Sequence, residues 1–382
     1  MAIKVLVVDD SALMRKKISA LLADTGDFAV QSAKNGIEAI AMNQEFQPDV
    51  MTLDINMPEM DGLTALAEIM LQRPVPVVML SSLTAQGALA TLEALALGAV
   101  DYVAKPDGTI SLALDQIERE LLTKVRAAAK ARLRGGAKVK PVSEPLSLRG
   151  RPGSSSSPHS GSVESEAKWN KLTTPVIPRH KRQVKPGAEG ELEGLVLIGV
   201  STGGPGTLEQ IIRLLPYDFP YPVVIAQHMP AAFTGPFASR LNLLCALEVV
   251  EVGQLLAVER GKVYIARGSA DLVFTNRCGV LYLQPKPEDP QFRWHPSVEL
   301  LGRSALECCN AEGLIAVLLT GMGDDGAEAF SRIHANGGRT IAESEESAVV
   351  FGMPKELIER RGATLVLPVH KIAQQLLHWA CR

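Results

Sequence analysis

Apolar and polar positions alternate in blocks along residues 1–133. Between the apolar runs, apolar residues recur at helical spacing, for example at Leu92, Leu95 and Ala96. The short apolar runs predict strands at residues 4–8, 28–33, 50–53, 75–80 and 102–104. Strands that are apolar on both faces are typical of a parallel sheet covered by helices, so this segment is predicted to be an open, doubly wound α/β domain.

The same rhythm returns over residues 191–382. Leu208, Ile211 and Leu215 indicate a helix there, and strands are predicted at residues 195–200, 223–226, 314–319, 340–342 and 365–367. Gly and Asn separate three further apolar runs, which favours an antiparallel excursion at residues 263–266, 272–274 and 280–283. The segment is therefore predicted to form a second open α/β domain with a parallel sheet.

Residues 134–190 differ in composition from the segments on either side. Gly, Ser, Pro, Lys and Arg dominate this stretch, and no apolar periodicity is sustained. Such a composition buries too little apolar surface to offset the entropy that is lost when a chain becomes ordered. The stretch is predicted to be a flexible linker between a domain at residues 1–133 and a domain at residues 191–382.

The overall composition limits location and partners. The formal net charge is -3, and no basic face of the kind that binds nucleic acid is evident. No apolar stretch approaches the length of a membrane span, and the chain does not open with the pattern of a secretion signal. The 5 cysteines lack metal-binding spacing. We therefore expect a cytoplasmic protein that binds no nucleic acid and does not insert into membranes.

Charged residues follow several predicted strands of the first domain. Asp9 and Asp10 end the first strand, Asp54 ends the third, and Lys105 ends the fifth. The carboxyl ends of parallel strands meet at one edge of a sheet, so we expect these side chains to lie together. Clustered carboxylates repel each other unless a cation lies among them, and Mg²⁺ prefers such oxygen ligands. Asp54, alone at a central strand end, is the predicted nucleophile towards phosphorus.

Ser81 and Lys105 complete this predicted site. A hydroxyl at the end of the fourth strand and an ammonium group at the end of the fifth can both bind phosphoryl oxygens. Taken singly, an Asp pair after a strand is often a turn or a helix cap, and a Lys-Pro step is often a loop. The agreement of four strand ends favours a phosphorylation site.

These residues resemble the receiver domain of two-component response regulators. The resemblance covers the first segment and is carried by residues 7–10, residues 54–58, Asp61, Gly62, Ser81, Lys105 and Pro106. It implies a flavodoxin-like fold and phosphorylation of Asp54 by a histidine kinase. It also implies that Asp10, Asp54 and the main-chain carbonyl group of Asn56 bind Mg²⁺, with Asp9 in support.

The receiver resemblance further implies a switch. Ser81 and Tyr102 would rearrange on phosphorylation while Lys105 pairs with the phosphoryl group. The peptide bond between Lys105 and Pro106 would be cis.

A serine, a histidine and a carboxylate follow neighbouring predicted strands of the second domain. Ser201 lies in a Gly-Val-Ser-Thr-Gly-Gly turn before a helix, where small neighbours permit an exposed hydroxyl and nearby N–H groups can bind an oxyanion. His228 ends the next strand, and Asp324 and Asp325 follow a third. A serine hydroxyl needs a base, and an imidazole needs a carboxylate to orient it. The arrangement predicts a serine hydrolase.

Each part of this predicted site also has an alternative interpretation. A Gly-rich turn after a strand more often binds phosphate, although no Gly-Lys-Ser/Thr follows that would indicate a Walker loop. A histidine at a strand end is often structural, and an Asp pair can cap the next helix. His295 is a rival base or a substrate contact, whereas Cys308 and Cys309 are weaker candidates for a nucleophile because no base is assigned to them. An α/β-hydrolase is disfavoured, since its histidine follows its aspartate.

The second domain resembles the catalytic domain of chemotaxis-receptor methylesterases. The resemblance covers most of the C-terminal half and is carried by residues 199–204, 227–230, 295–298, 319–326 and 351–354. It implies a Rossmann-like fold in which Ser201 is the nucleophile, His228 the general base and Asp325 the orienting carboxylate. It also implies an oxyanion site at the main-chain N–H groups of Met322 and Thr202.

Two features depart from the pattern of that family. Asp324 stands where the family commonly has Asn, so it either raises the basicity of His228 or turns outward. The predicted linker is also longer than is usual in the family.

The resemblance implies phosphorylation-regulated hydrolysis of glutamyl γ-methyl esters on chemoreceptors, with deamidation of glutamines as a second activity. It implies an acyl-enzyme on Ser201 without a cofactor, a histidine kinase as the phosphodonor, and a monomer. We expect the unphosphorylated receiver to cover the esterase site. Two other outputs stay open: a nucleotide- or phosphate-binding domain that uses the Gly-rich turn, and a DNA-binding domain, which the missing helix-turn-helix pattern disfavours.

Overall fold

The computed structural model describes residues 2–105, 113–131, 133 and 192–380. The predicted linker at residues 134–190 and Pro106, with its predicted cis bond, lie outside the described residues. None of the helices in the described part of the chain is both long and apolar enough to cross a bilayer.

The first domain contains a five-stranded parallel sheet. Its strands are β1 Ile3–Val8, β2 Phe28–Ala33, β3 Val50–Asp54, β4 Val77–Ser82 and β5 Asp101–Lys105. Its helices are α1 Ala12–Asp24, α2 Gly36–Glu45, α3 Gly62–Gln72, α4 Ala85–Leu97 and α5 Ala113–Ala128. The order β2-β1-β3-β4-β5 reverses direction between β1 and β3, so their carboxyl ends border the crevice where such sheets bind ligands.

Local sequence explains where several of these helices begin. Ser11, Asn35, Asp61 and Thr84 each precede a helix, and their side-chain oxygens accept a main-chain N–H three residues later. Such caps satisfy a donor that the helix itself leaves unpaired. Because each helix starts shortly after a strand, the caps fix the loops at the carboxyl edge of the sheet.

The second domain contains a seven-stranded parallel sheet in the order β15-β14-β13-β6-β7-β10-β8. Its strands are β6 Leu195–Val200, β7 Val223–Gln227, β8 Glu248–Val252, β10 Lys262–Ala266, β13 Leu314–Leu318, β14 Arg339–Glu343 and β15 Leu365–Leu367. Its helices are α6 Gly204–Ile212, α7 Ala231–Leu244, α8 Val298–Cys308, α9 Ala327–Ala335, α10 Met353–Glu359 and α11 Val369–Ala380. The predicted α/β fold class, with parallel sheets, is confirmed for both domains.

The predicted antiparallel excursion is wrong in one of its three strands. β11 (Asp271–Arg277) and β12 (Val280–Lys286) do form an antiparallel pair, joined by the short β9 (Leu256–Ala257) in a separate three-stranded sheet. β10, by contrast, lies between β7 and β8 and is parallel to both. β8 was not predicted, because two charged residues interrupt its sequence Glu-Val-Val-Glu-Val at an edge of the sheet.

The two domains pack against each other. Helix α4 of the first domain contacts α7 and α6 of the second. Buried residues of both domains belong to one apolar cluster, which includes Leu92 of α4 and Phe233 of α7. This packing brings Asp101, the first residue of β5, into contact with Thr202 in the turn after β6, where Ser201 lies.

Candidate functional sites

Three carboxylates lie together at the carboxyl edge of the first sheet. One oxygen from each of Asp9, Asp10 and Asp54 lies within 4.8 Å of the others, a spacing that could hold a metal ion. Lys105 Nζ lies 2.8 Å from Asp9 Oδ2 and 2.8 Å from Asp54 Oδ2. Asn56, exposed, follows two residues after Asp54. The oxygen-only donor set suits a hard cation such as Mg²⁺.

Burial and Lys105 have opposite effects on the pKa of the Asp54 carboxyl group. Burial raises the pKa of the Asp54 carboxyl above its ordinary value, while the hydrogen bond and positive charge of Lys105 oppose that rise. For Lys105, burial favours the neutral amine, but hydrogen bonds to Asp54 and Asp9 outweigh it and raise the pKa of the ammonium group. The site therefore holds one cation between two buried carboxylates, which limits their mutual repulsion.

The two other predicted switch residues contact helix α4 and the second domain. Ser81 Oγ donates to the Gly87 carbonyl oxygen at 3.1 Å and accepts from Thr91 Oγ1 at 2.6 Å, so it is bound to helix α4. The Tyr102 ring is buried and stacks on Phe233 of the second domain at a centroid distance of 4.6 Å. Ser81, near the end of β4, is therefore bound to the helix that packs on the second domain, and Tyr102, near the start of β5, contacts that domain directly.

Ser201 and His228 follow adjacent strands of the second sheet. Val200 at the end of β6 pairs with Gln227 at the end of β7, so the next residue of each strand lies at the same edge. The main-chain N–H of His228 donates to the Val200 carbonyl oxygen at 3.1 Å. Gln227 Nε2 donates to the Ser201 carbonyl oxygen at 3.0 Å, which ties the two strand ends together.

His228 is bound to a carboxylate through one ring nitrogen. Its Nε2 lies 2.8 Å from Asp325 Oδ2, and both side chains are nearly buried. A carboxylate accepts hydrogen bonds, so this contact places the imidazole proton on Nε2. Nδ1 is buried and has no hydrogen-bond partner among the described residues. The histidine therefore presents an unpaired buried acceptor beside the end of β6.

Asp325 itself is held by the first turn of α8. Its oxygens accept the N–H groups of Val298 at 2.7 Å and Glu299 at 2.9 Å and the hydroxyl of Ser297 at 3.1 Å. Burial favours protonation of Asp325, but its contact with His228 and these helix N–H groups outweigh burial and lower the pKa of the carboxyl. The carboxylate therefore stays ionised and fixed in place.

The alternative candidates from the sequence are Asp324, His295, Cys308 and Cys309, and each has a different environment. The Asp324 side chain is 58% exposed and faces Arg360 at 3.9 Å, so it turns outward rather than towards His228. His295 contacts Asp271. Burial raises the pKa of the Cys308 thiol and raises that of Cys309 to about 11, which disfavours the reactive thiolate.

The loop after β13 passes directly beside Ser201. A Cβ atom on Gly321 would lie 2.7 Å from Ser201 Cβ, closer than two such atoms can approach. The main-chain N–H of Ser201 also donates to the Thr320 carbonyl oxygen at 2.9 Å. Met322, whose main-chain N–H is part of the predicted oxyanion site, follows Gly321 in this loop.

Sequence reasoning missed the ring that covers His228. The Trp294 ring lies parallel to the imidazole, with 5.8 Å between centroids and 5° between planes. Trp294 also occupies the space that a Cβ on Gly323 would need, at a φ of 79° that favours glycine. The sequence signal that could have indicated Trp294 is its position directly before the His-Pro-Ser-Val stretch at residues 295–298.

Sequence reasoning also missed the contact between the domains at Thr202. The Thr202 hydroxyl donates to Asp101 Oδ2 at 2.6 Å, and both residues are buried. Lys124 Nζ lies 3.2 Å from Asp101 Oδ1 and donates to the Tyr102 carbonyl oxygen at 2.6 Å. A carboxylate from the first domain is therefore bound to the residue that follows Ser201.

Comparison with known proteins identifies the family of both domains. The sequence profile of the response regulator receiver domain matches residues 5–114, and that of CheB methylesterase matches residues 196–376. A protein-glutamate methylesterase/protein-glutamine glutaminase of Rhodospirillum rubrum is 52% identical over 379 residues, covering 99% of this chain and 96% of that protein. The chain belongs to the CheB methylesterase family. A second member of the family, from Rhodopseudomonas palustris, is 48% identical over 99% of this chain and 98% of its own length.

Solved structures match each domain of this CheB methylesterase family member separately. The CheB methylesterase catalytic domain of Thermotoga maritima is 40% identical and covers 48% of this chain and 97% of its own, with a TM-score of 0.47. The response regulator domain of Thermotoga maritima CheB is 47% identical and covers 35% of this chain and 99% of its own, with a TM-score of 0.33. The family relation makes the chain a protein-glutamate methylesterase that carries a receiver domain for regulation by phosphorylation.

Proposed function

We propose that Ser201, His228 and Asp325 carry the ester hydrolysis as nucleophile, general base and orienting carboxylate. The observation that carries this proposal is the unpaired, buried Nδ1 of His228, whose other nitrogen is bound to Asp325. A base must offer a lone pair towards the hydroxyl that it deprotonates, and the tautomer fixed by Asp325 leaves that lone pair on Nδ1.

The reaction then proceeds in two halves. The Ser201 oxygen attacks the ester carbonyl carbon as its proton passes to Nδ1 of His228, and the resulting oxyanion accepts main-chain N–H groups at Thr202 and Met322. Collapse releases methanol, which takes the proton from His228. Water then attacks the acyl-enzyme with the same base, and glutamate and free Ser201 result. With a glutamine side chain the leaving group is ammonia, which accounts for deamidation by the same residues.

We infer the substrates and the location from the family. The curated relatives are named protein-glutamate methylesterase/protein-glutamine glutaminase, so we assign methyl-accepting chemoreceptors as the substrate of this chain. We propose that the protein acts as a monomer in the cytoplasm, where a histidine kinase supplies the phosphoryl group to the receiver domain.

We assign Asp54 as the phosphorylated residue of the receiver domain. Asp9, Asp10 and Asp54 with the main chain at Asn56 would hold Mg²⁺, which would offset the charge of the incoming phosphoryl group. Asp54 supplies the attacking oxygen, and Lys105 pairs with a phosphoryl oxygen after releasing Asp54. The proposed esterase reaction of Ser201, His228 and Asp325, by contrast, uses no metal ion or cofactor.

The contact at Thr202 supports a regulatory role for the receiver. Asp101 binds the hydroxyl of the residue after Ser201, and Tyr102 packs on Phe233 beside it. We propose that in this arrangement the receiver covers the esterase site. Phosphorylation of Asp54 would release it by moving Ser81 and Tyr102, provided that the phosphorylated receiver binds the second domain more weakly.

The variant Ser201→Ala tests the catalytic assignment. We expect it to reduce methanol release from a methylated receptor fragment by about 10⁴-fold or more, because the acyl-enzyme can no longer form. Ser239→Ala, in α7 of the same domain, is a matched control that should keep full activity. Methanol release by Ser201→Ala at the rate of the unvaried protein would refute the assignment.

A further inference from the structure

We propose that Asp271 and His295 form a second histidine–carboxylate pair that positions the catalytic residues of the first. The pair holds the segment that places Trp294 against His228 and Ser297 against Asp325. This inference rests on the proposed roles of His228 and Asp325, and neither Asp271 nor His295 touches the reacting atoms.

The pair is built as tightly as the catalytic one. Asp271 is fully buried, and both of its oxygens lie 3.0 Å from Nδ1 of His295. Asp271 also accepts the main-chain N–H groups of Ser297 and Asp289, each at 2.9 Å. A carboxylate in this setting only accepts, so Nδ1 of His295 donates to it. One buried charge thus fixes three points along residues 289–297.

Trp294 connects this segment to the catalytic histidine. The residue lies directly before His295, so holding His295 from one side sets the direction of the neighbouring Trp294 ring. That ring lies parallel to the imidazole of His228 and packs on the main chain at Gly323. The guanidinium group of Arg293 lies 5.1 Å from the ring centre. The ring is partly buried and held by these contacts, and it lies parallel to His228, which it can orient.

Ser297 connects the same segment to the catalytic carboxylate. Its N–H donates to Asp271 and its hydroxyl donates to Asp325. The next two N–H groups, of Val298 and Glu299, also bind Asp325. Asp271 therefore determines where the start of α8 lies, and the start of α8 determines where Asp325 lies.

The two connections constrain His228 in complementary ways. The hydrogen bond from Nε2 to Asp325 fixes one point of the imidazole but allows the ring to tilt about that point. The parallel Trp294 ring would fix the plane of the imidazole, so that Nδ1 keeps the constant direction that its proposed role as base towards Ser201 requires. When a base is displaced by a fraction of an ångström, proton transfer becomes slower, but substrate binding does not change. Loss of the pair should therefore lower kcat and leave KM nearly unchanged.

Two variants of His295 separate positioning from simple stabilisation. His295→Ala removes the donor to Asp271, and we expect kcat to fall by about tenfold or more with KM changed by less than about twofold. His295→Asn keeps an amide N–H donor in place of Nδ1, and it should recover most of the lost kcat. His370→Ala, an exposed histidine on α11, is the matched control and should leave both constants unchanged.

Fluorescence of Trp294 gives a readout that does not require esterase activity. The chain contains 3 tryptophans, so Trp169→Phe with Trp379→Phe leaves Trp294 as the single reporter. In this background His295→Ala should shift the emission to longer wavelength and lower the anisotropy, because the ring is released from His228. His295→Asn should show neither change.

Three results would overturn the positioning proposal. One is unchanged kcat in the folded fraction of His295→Ala, which would make the pair structural only. Another is a raised KM at constant kcat, which would make His295 a substrate contact. The third is unaltered Trp294 emission and anisotropy. An unvaried protein without esterase activity would contradict the proposed function, and the positioning proposal would then be decided by the fluorescence alone.

Discussion

At the scale of single residues, the carboxylate at position 325 combines burial with a complete set of donors. It accepts from His228, Ser297, Val298 and Glu299, and together these contacts lower the pKa of Asp325 although burial acts in the other direction. Asp324, the adjacent carboxylate, is exposed. Asp325, the proposed orienting carboxylate, therefore differs from Asp324 in its environment and not in its residue type.

Asp325→Asn should abolish most of the activity while the protein stays folded. An amide at position 325 can donate to Nε2 of His228, which would move the imidazole proton to Nδ1 and leave Ser201 without an acceptor. We expect kcat to fall by about 10³- to 10⁴-fold. Asp324→Asn is the matched control and should change kcat by less than about twofold, as expected for an exposed group.

The free energy of unfolding of Asp325→Asn should also depend on pH differently from that of the original protein. Because the folded-state pKa of Asp325 lies below the ordinary value of 3.8, its ionised form stabilises the unvaried protein above that pH. This contribution is lost as the pH falls through the lowered pKa. The difference in free energy of unfolding between the unvaried protein and Asp325→Asn should therefore shrink below pH 3.8. A difference that grows on acidification would contradict the proposed ionisation of Asp325.

At the scale of elements, the esterase site is assembled by the loops that follow β6, β7 and β13. β6 lies between β7 and β13 in the sheet, so Ser201 is flanked by His228 on one side and by Gly321 on the other. Gly321 also contacts α10, since its carbonyl oxygen accepts the N–H of Met353 at 2.9 Å. The loop after β13 therefore has little freedom to move away from Ser201.

Gly321→Ala should displace Ser201. The added Cβ would lie 2.7 Å from Ser201 Cβ and 2.4 Å from Met353 Sδ, so part of the site must shift. We expect about 1–3 kcal/mol of lost stability and a drop in kcat of about tenfold or more, measured by denaturant unfolding and by methanol release. Gly206→Ala, on α6 with no atom within 4 Å of the added Cβ, should keep activity and gain stability. Equal effects of both substitutions would exclude close packing at Gly321 as the cause.

At the scale of the whole molecule, the two domains share a buried charged contact beside the nucleophile. Asp101 lies between Lys124 of its own domain and Thr202 of the other. Burial disfavours the charged form of Lys124, but Asp101 and Glu120 outweigh it and raise the pKa of the ammonium group. A negative charge held close to Thr202 would also oppose an oxyanion at the neighbouring main chain. In the proposed regulation, the receiver would therefore inhibit through charge as well as by covering the site.

Asp101→Ala should raise the rate of the unphosphorylated protein. A small soluble ester is the informative substrate, because it can pass a partial cover that stops a receptor helix. Without a phosphodonor we expect about a tenfold higher rate, the typical effect of losing one hydrogen bond to a charged group. Addition of a small-molecule phosphodonor should then produce little further increase.

Asp27→Ala is the control for this variant, since Asp27 forms an exposed ion pair with Arg126 on the same domain. It should keep both the basal rate and the activation by the phosphodonor. If Asp101→Ala behaves in the same way, the contact with Thr202 does not inhibit the esterase.

The sequence by itself determined the local parts of this protein. Apolar runs located the buried strands, because a strand covered on both faces needs apolar residues throughout, and polar groups at strand ends predicted both candidate sites. Asp54, Lys105, Ser201 and His228 were all predicted as site residues in this way. The edge strand β8 was missed because two charged residues interrupt its apolar positions, and the direction of β10 was predicted wrongly.

Only the tertiary structure decided which distant residues meet. Trp294 covers His228, Asp271 binds His295, and Asp101 reaches Thr202 across the domain interface, over separations of up to 101 residues. No local pattern encodes such contacts, because an aromatic or acidic residue has the same sequence signature whether it faces water or a catalytic group. The direction of each side chain is set by the packing of elements that are remote in the chain, and that packing becomes defined only when both domains are folded.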